Sequence, residues 1–254
     1  MNFTASNEYT FYIQLTYILI GFLAFKFESS GKYNLPYSKF SKNKGLPSKY
    51  GMFVIYFFPI LAYLSQWNFQ KNDHTFWEYS NMALFVIHFA KRCLEVLFLH
   101  KYSGRINYIA VILITIMYSN IGLLFANLHG SSENGSIDNN YVYIGIILFS
   151  VGQFFNFYHH KILADLRLQK DNSNSLEYKI PSKGLFSKVV CPHYFFELVS
   201  WLGIAVCSTY VDAYFVFYIM VCYLSGRSHR TREWYYENVP EYPKNRNRII
   251  PYIW

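Results

Sequence analysis

The chain alternates apolar runs of bilayer-spanning length with polar loops whose charge changes sign from one run to the next. A crossing needs about 17–25 predominantly apolar residues, and runs of this kind occupy 11–27, 50–66, 81–99, 106–127 and 141–158. A sixth stretch, 194–225, is too long for one crossing and is interrupted by Ser208, Thr209, Tyr210 and Asp212, so it reads as two short helices joined by a tight turn. Lys and Arg accumulate on the cytoplasmic side of membrane proteins. Residues 28–49 carry Lys32, Lys39, Lys42, Lys44 and Lys49, residues 159–192 carry Lys161, Arg167, Lys170, Lys179, Lys183 and Lys188, and the tail is basic too. By contrast, 128–140 has Glu133 and Asp138 with no Lys or Arg, and 67–80 has one Lys against Asp73 and Glu78. A lumenal N-terminus and a cytosolic tail require an odd number of crossings, so 194–225 crosses twice. The expected fold is all-α: a polytopic membrane protein of about seven transmembrane helices, N-terminus lumenal and C-terminus cytosolic, with 1–254 forming one membrane domain.

Composition narrows the class further. Hydrophobic residues make up 53% of the chain and aromatics 21%, yet the mean hydropathy is only slightly positive, because 25 of the aromatics are Tyr and the basic loops dilute the apolar runs. The formal charge of +8 is spread over separated loops without a binding motif, which speaks for topology and contact with membrane lipids and against a nucleic-acid partner. Cys93, Cys191, Cys207 and Cys222 form no CxxC pair, so neither a disulfide framework nor a zinc site is expected. The first run lacks a basic lead-in and a small-residue cleavage site and reads as a retained anchor. Two sequons, Asn2-Phe3-Thr4 and Asn134-Gly135-Ser136, fall on the expected lumenal side. Residues 169–176 read as a flexible linker.

Ionisable residues inside apolar helices are costly and mark functional candidates. His88, Lys91, Arg92 and Glu95 recur at helical spacing within 81–99, lining a polar cavity or forming Lys91–Glu95 and Arg92–Glu95 ion pairs that fix packing. Asn156, His159 and His160 close the run 141–158 and lead on to Asp165 and Arg167, where a soluble cofactor would enter. The two histidines point about 100° apart on a helix, and no completing ligand spacing follows them, so no metal is expected. Cys191-Pro192-His193-Tyr194-Phe195-Phe196-Glu197, followed by Trp201, opens a helix at Pro192 and puts His193, Tyr194 and Glu197 near its N-terminus. Backbone donors there suit an anion or a developing oxyanion. The tail's Arg227, His229, Arg230 and Arg232 suit phosphate recognition or retention at an anionic surface. No GxGxxG or P-loop is present, so any dinucleotide is bound without a Rossmann fingerprint.

Three segments resemble the C-terminal region of the steroid 5α-reductase family, which includes very-long-chain enoyl-CoA reductases and polyprenal reductases. They are Asn156 to Arg167 with Tyr178-Lys179-Ile180-Pro181, Cys191-Pro192-His193-Tyr194-x-x-Glu197 with Trp201, and Tyr235 to Trp254 with Glu-Tyr-Pro-Lys and Ile-Pro-Tyr. Residues 145–254 form the family-like reductase region. The resemblance implies a seven-helix enzyme of the endoplasmic reticulum membrane. NADPH would be held by Asn156, His160, Arg167, Tyr178, His193, Glu197, Trp201, Arg227 and Tyr235. It would give hydride to the β-carbon of a C=C bond conjugated to a carbonyl, and a proton would reach the α-carbon. Tyr194 is the expected proton donor, with Lys91, Arg92 or Glu95 polarising the carbonyl or orienting Tyr194; alternatively, Lys91 and Arg92 bind a CoA phosphate. The chain departs from the family pattern at His193, where relatives often have Asn, at Thr231 and Arg232, where they have histidines, and at His160, where steroid-reducing members have Asp. Tyr56 or Phe57 and Phe89 stand where those members place a Glu and a Tyr near the ketone. Lys91-Arg92-x-x-Glu95, Leu97-Phe98-x-His100 and Cys191-Pro192-x-Tyr194 look like the enoyl-CoA reductase pattern. The lipid substrate is thus a 3-oxo-Δ4 steroid, an enoyl-CoA or a polyprenal. A seven-helix lipid-binding or transport protein is the non-enzymatic alternative.

Overall fold

The structure is a computed structural model that describes residues 8–32, 35, 45–102, 104–130, 138–171 and 179–254. Both sequons, the lysines at 39, 42 and 44, Glu133 and Tyr178 lie outside the described residues. Within them the chain forms seven α-helices: α1 (Glu8–Ser29), α2 (Ser48–Gln66), α3 (Phe76–Leu94), α4 (Tyr108–Gly130), α5 (Asn139–Asp171), α6 (Pro192–Ser208) and α7 (Val211–Asn238). Two-residue strands β1 (Leu46–Pro47) and β2 (Arg105–Ile106) pair antiparallel, with Leu46 opposite Ile106. The helices follow the apolar runs, and the expected break in 194–225 falls at Thr209, whose positive φ of 62° turns the chain between α6 and α7. Two of the helical segments, Tyr108–Gly130 and Asn139–Leu168, are long and apolar enough to cross a membrane.

Three boundaries differ from the sequence reading. The helix expected over 141–158 runs on to Asp171, because 159–168 continues in helix-forming residues braced by a Lys161–Asp165 pair at 2.7 Å with i,i+4 spacing. The linker expected over 169–176 therefore begins within α5, and 172–178 lie outside the described residues. The last apolar run extends likewise to Asn238, so Arg227 to Tyr235 are helical rather than part of a loose tail. The run 81–99 changes pitch at its end, where Glu95–Leu99 form a π-helical turn that closes with a 2.7 Å bond from the His100 amide to the Glu95 carbonyl. Such turns are rare and frequent at functional sites.

The chain divides into two compact units. The first contains Leu35–Phe149 and Leu202–Val216. Thr75 caps α3 in a reciprocal box with Glu78, which satisfies two of the orphan N–H groups at the helix start. Pro59, which cannot donate within α2, lies where Gly122 of α4 comes close: a Cβ on Gly122 would sit 2.8 Å from the Pro59 carbonyl oxygen. Small size thus lets the two backbones meet. Gly45, at φ +133°, abuts the Ile106 carbonyl at a distance no Cβ would permit, and β1 and β2 thereby clip the start of α2 to that of α4. Tyr63, Phe85, Phe89 and Phe125 fill the core, with Tyr63 and Phe85 stacked at 5.0 Å.

The second unit contains Ala5–Asn34, Ser150–Trp201 and Phe217–Trp254. Close approach recurs there. A Cβ on Gly152 would lie 2.5 Å from the Ser200 amide nitrogen, and one on Gly226 would lie 2.8 Å from the Phe25 carbonyl, so α5 meets α6 and α1 meets α7 at glycines. The tail doubles back: Val190 and Cys191 donate to the carbonyls of Asn247 and Arg248 at 2.8 and 3.0 Å, and Asn247 donates to the Lys188 carbonyl at 3.0 Å.

Candidate functional site

Most of the candidate residues gather in the second unit, on three helical stripes. Asn156, His160 and Arg167 lie along α5, His193, Glu197 and Trp201 along α6, and Arg227, Thr231 and Tyr235 along α7. The steps of four on α6 and α7 keep each set on one face. Asn156, His160, Glu197, Trp201, Arg227 and Tyr235 are buried, His193 and Tyr194 half-buried, and Arg167 exposed.

Pro192 is the first residue of α6, as its fixed φ and missing N–H favour. The Cys191 carbonyl accepts from the amides of Tyr194 and Phe195 at 3.1 and 3.4 Å. Asn156 of α5 donates through Nδ2 to the His193 carbonyl at 2.8 Å, and the rings of His160 and His193 lie 5.3 Å apart. His193 also packs on Tyr194, with ring centroids 4.3 Å apart. An amide, two imidazoles and a phenol thus converge where α6 begins.

The adjacent histidines have different duties. His159 accepts the Leu185 amide at Nε2 (3.2 Å), its Nδ1 lies 2.7 Å from the Phe155 carbonyl, and it stacks on Phe196 at 5.3 Å. Those bonds fix the Nδ1–H tautomer and seat the turn Gly184–Ser187 on α5; Gly184 has φ +59°, and a Cβ there would lie 3.0 Å from the His159 ring. The sequence alone presented His159 as a site candidate, whereas the structure commits its ring to holding that turn.

Arg227, 1% exposed, donates at 2.8 Å to Glu28 of α1, which is 2% exposed. Sequence reasoning missed Glu28. A carboxylate at the end of an apolar run carries no local sign that its partner stands 199 residues away. Thr231 bonds back to the Arg227 carbonyl at 2.8 Å. Tyr235 stacks on Tyr242 at 4.2 Å; burial pushes the Tyr242 phenol up to about 12 despite the nearby Arg246. Arg246 in turn donates to the Pro181 carbonyl at 2.7 Å. His229 accepts from Arg248 Nε at 3.0 Å, and burial, with Arg248 adding to it, lowers its proton affinity.

Lys91, Arg92 and Glu95 belong to the first unit, Tyr194 to the second. Glu95 binds both cations, Arg92 at 2.5 Å and Lys91 at 3.0 Å, so both ion pairs foreseen from the spacing form. Arg92 also donates to the Tyr56 hydroxyl at 3.0 Å and lies 4.8 Å above the Tyr56 ring. Tyr118 and Phe89 line the same place, 5.3 Å apart edge to face. A further buried chain escaped the sequence reading: the Tyr63 hydroxyl is 2.8 Å from His129 Nδ1, and His129 Nε2 is 3.1 Å from Ser208 Oγ. Beside it, Trp77 and Asn81 both donate to the Cys207 carbonyl where α6 ends.

The cofactor candidates all fall in the C-terminal part of the chain, and so does the match to a family model. The family model described as 3-oxo-5-alpha-steroid 4-dehydrogenase matches residues 98–254. The human protein named 3-oxo-5-alpha-steroid 4-dehydrogenase 1 is 30% identical over 183 residues, spanning 68% of this chain and 66% of its own length. Steroid 5-alpha-reductase DET2 of Gossypium hirsutum is 40% identical over 112 residues, 43% of this chain and 42% of its own length. Polyprenal reductase 2 of Oryza sativa subsp. indica is 36% identical over 113 residues, 44% of this chain and 31% of its own length. The chain thus spans just under two thirds of the human relative and less than half of the plant ones. Lys91, Arg92, Glu95 and Glu28 precede the matched region. With more than half of its length matched to one model, the chain belongs to the 3-oxo-5-alpha-steroid 4-dehydrogenase family, the family of the steroid 5α-reductases.

Proposed function

We propose that this protein is a membrane-embedded, NADPH-dependent reductase that saturates a C=C bond conjugated to a carbonyl in a lipid. The supporting observation is the concentration of buried amide, imidazole, carboxylate and guanidinium groups on α5, α6 and α7, inside a family whose named members are oxidoreductases. Burying such groups is expensive unless they serve a ligand or one another. The outer surface favours a bilayer: Ile109, Ile112, Leu113 and Ile116 of α4 and Ile144, Ile147 and Phe154 of α5 are exposed in continuous apolar stripes. On this reading the chain is one multi-pass domain of the endoplasmic reticulum membrane, crossing seven times with its tail in the cytosol.

The donor set fits the cofactor. Asn156 and Glu197 offer the donor and acceptor that a nicotinamide carboxamide requires, Trp201 and Tyr235 offer aromatic faces, Arg167 offers a guanidinium group for phosphate, and Arg227, paired with Glu28, is a cofactor candidate by family resemblance. His160 and His193 complete the lining, and Tyr178 is a further cofactor candidate by family resemblance. When bound, NADPH would supply the hydride that enters the double bond. The chain's own task is to manage charge. As the double bond is reduced, negative charge moves to the carbonyl oxygen, and a donor there lowers the barrier. Tyr194 donates the proton, with its phenol beside the His193 ring at the start of α6. In the first unit Glu95 holds Lys91 and Arg92, the two groups we propose to polarise the carbonyl. Because Glu95 and Tyr56 already hold Arg92, polarisation suits it better than capture of a CoA phosphate.

The relatives' names denote action on a 3-oxo steroid or a polyprenal, and both are lipid carbonyls, which supports an acceptor of that class. The test uses NADPH deuterated at the transferable position. Mass spectrometry of a 3-oxo-Δ4 steroid, a long-chain trans-2-enoyl-CoA and a polyprenal after turnover should find one deuterium in one of the saturated products. NADPH that stays unbound and unoxidised with all three overturns the proposal in favour of lipid binding or transport.

A further inference from the structure

The last residues form a stiff hook whose tip is apolar and whose shank is cationic. Ile249 and Ile250 both donate to the main-chain oxygen of Trp254, at 2.9 and 3.1 Å, and Trp254 donates back to the Ile250 carbonyl at 3.1 Å. Tyr252, at φ +66°, makes the bend. The base is fixed, with Ile249 buried and the preceding residues bonded to 188–191. The tip points out: Tyr252 is 80% exposed and Ile253 79%. A closed turn held at both ends that presents two large apolar side chains to the outside is an unusual use of surface.

Three observations identify what covers it. Trp254 lies 6.5 Å from Phe25, so the hook sits beside the last turns of α1, next to the exposed apolar face carrying Phe22, Leu23 and Phe27. On that same turn Lys26 lies 5.6 Å over the Phe22 ring, the posture of a lysine stem lying on apolar surface with its charge near water. Cations flank the hook: the Arg248 guanidinium is 4.2 Å above the Trp254 ring, and Lys188 lies 5.9 Å from Tyr252. The nearby carboxylate of Glu28 is spent on Arg227 inside the protein. Aromatic and aliphatic side chains beside Lys and Arg, at the end of a helix with an exposed apolar face, match the headgroup layer of an anionic leaflet.

We propose that residues 249–254 are an interfacial anchor, with Tyr252 and Ile253 inserted into the cytosolic leaflet and Lys26, Lys188 and Arg248 bound to acidic headgroups. The inference rests on the membrane reading above but not on any catalytic activity. The anchor also bears on the candidate site, because the segment leading to it bonds through Asn247 and Arg248 to Lys188, Val190 and Cys191, just before Pro192. Holding the hook in the leaflet holds the start of α6, and with it Tyr194.

The test places a nitroxide at Ile253→Cys in a Cys222→Ser background, the remaining cysteines being buried, in full-length protein reconstituted into vesicles. Pure phosphatidylcholine is compared with a mixture containing about one third phosphatidylserine, which supplies the surface potential. The expected result is a spin label reached by oxygen rather than by an aqueous nickel reagent in the anionic vesicles, with the preference weakened at least twofold in neutral ones and by Lys188→Gln. Hydrogen exchange of 249–254 in the unlabelled protein should slow in parallel. A label equally open to the aqueous reagent in both vesicles, with unchanged exchange, overturns the proposal. Turnover measured on the same samples separates the two readings: a solvated hook on an active enzyme sinks only the anchor, and an embedded hook on an inactive protein sinks only the reductase.

Discussion

Replacing Glu28 with glutamine tests whether the α1–α7 contact is a desolvated ion pair. At 2.8 Å, with an effective dielectric of 20, the Glu28–Arg227 attraction is about 6 kcal/mol. Most of it offsets the cost of burying both charges, so the pair adds little relative to an apolar contact of the same shape. Removing one partner is different. A neutral amide in place of the carboxylate would leave the Arg227 guanidinium, 1% exposed, without its counter-charge, and breaking a buried pair in this way costs about 3–5 kcal/mol. For a chain of this size each kcal/mol lowers Tm by about 2–4 °C, so the Tm of Glu28→Gln should fall by about 6–20 °C. The double variant Glu28→Gln/Arg227→Met, which buries no charge, should recover at least half of that loss. Both are read by tryptophan fluorescence during heating in detergent. A single variant within about 2 °C of wild type, or a double variant no better than the single one, refutes the argument.

His129→Phe keeps a ring against Phe125 but leaves the Tyr63 hydroxyl and Ser208 without the imidazole between them. The expected loss is about 1–3 kcal/mol for each stranded group, seen as a lower Tm. Gly152→Ala puts a Cβ 2.5 Å from the Ser200 backbone nitrogen, and overpacking of this kind costs about 1–3 kcal/mol. Gly130→Ala, with nothing within 4 Å, should be silent in the same assay. Glu78 lies ahead of the apolar run 81–99. Its burial is outweighed by bonds from Lys71 and Thr75, so its carboxyl falls to about 2. A carboxyl depressed on folding stabilises at pH values above its ordinary 4.5, and that stabilisation is lost as pH falls from there toward 2. The Tm advantage of wild type over Glu78→Gln should therefore be full at pH 6 and vanish near pH 2, whereas a constant offset would contradict the assignment. His229, depressed by burial and Arg248, should weaken the fold as pH drops below about 6.5, and His229→Gln should flatten that slope.

The helices were legible because bilayer-length apolar runs separated by charged loops leave few alternatives, and the α6–α7 break was legible because Ser208 to Asp212 interrupt an otherwise apolar stretch. The ends of α5 and α7 were not: a helix can carry on past its apolar run through polar residues, and hydropathy cannot see it. The opening of α6 at Pro192, which puts the candidates His193, Tyr194 and Glu197 on its first turns, was legible in the sequence. Partnerships across long separations were hidden. Glu28 with Arg227, and Tyr63 with His129 and Ser208, depend on which helices pack side by side, and periodicity within one helix does not encode that. His159 shows the converse, since a polar residue beside the candidate site also holds a turn through bonds that only the fold reveals.

The central claim is that residues of this chain transfer a proton to complete NADPH-driven saturation of a lipid C=C bond. The most direct measurement is NADPH oxidation by the purified protein with a 3-oxo-Δ4 steroid, a long-chain trans-2-enoyl-CoA and a polyprenal, wild type beside Tyr194→Phe, with NADPH binding followed in both. The account predicts turnover with one acceptor class, a loss of about 10²–10⁴-fold in the variant, and cofactor binding nearly unchanged. Wild-type protein that binds NADPH but oxidises none, or a Tyr194→Phe variant that turns over at the wild-type rate, would contradict it.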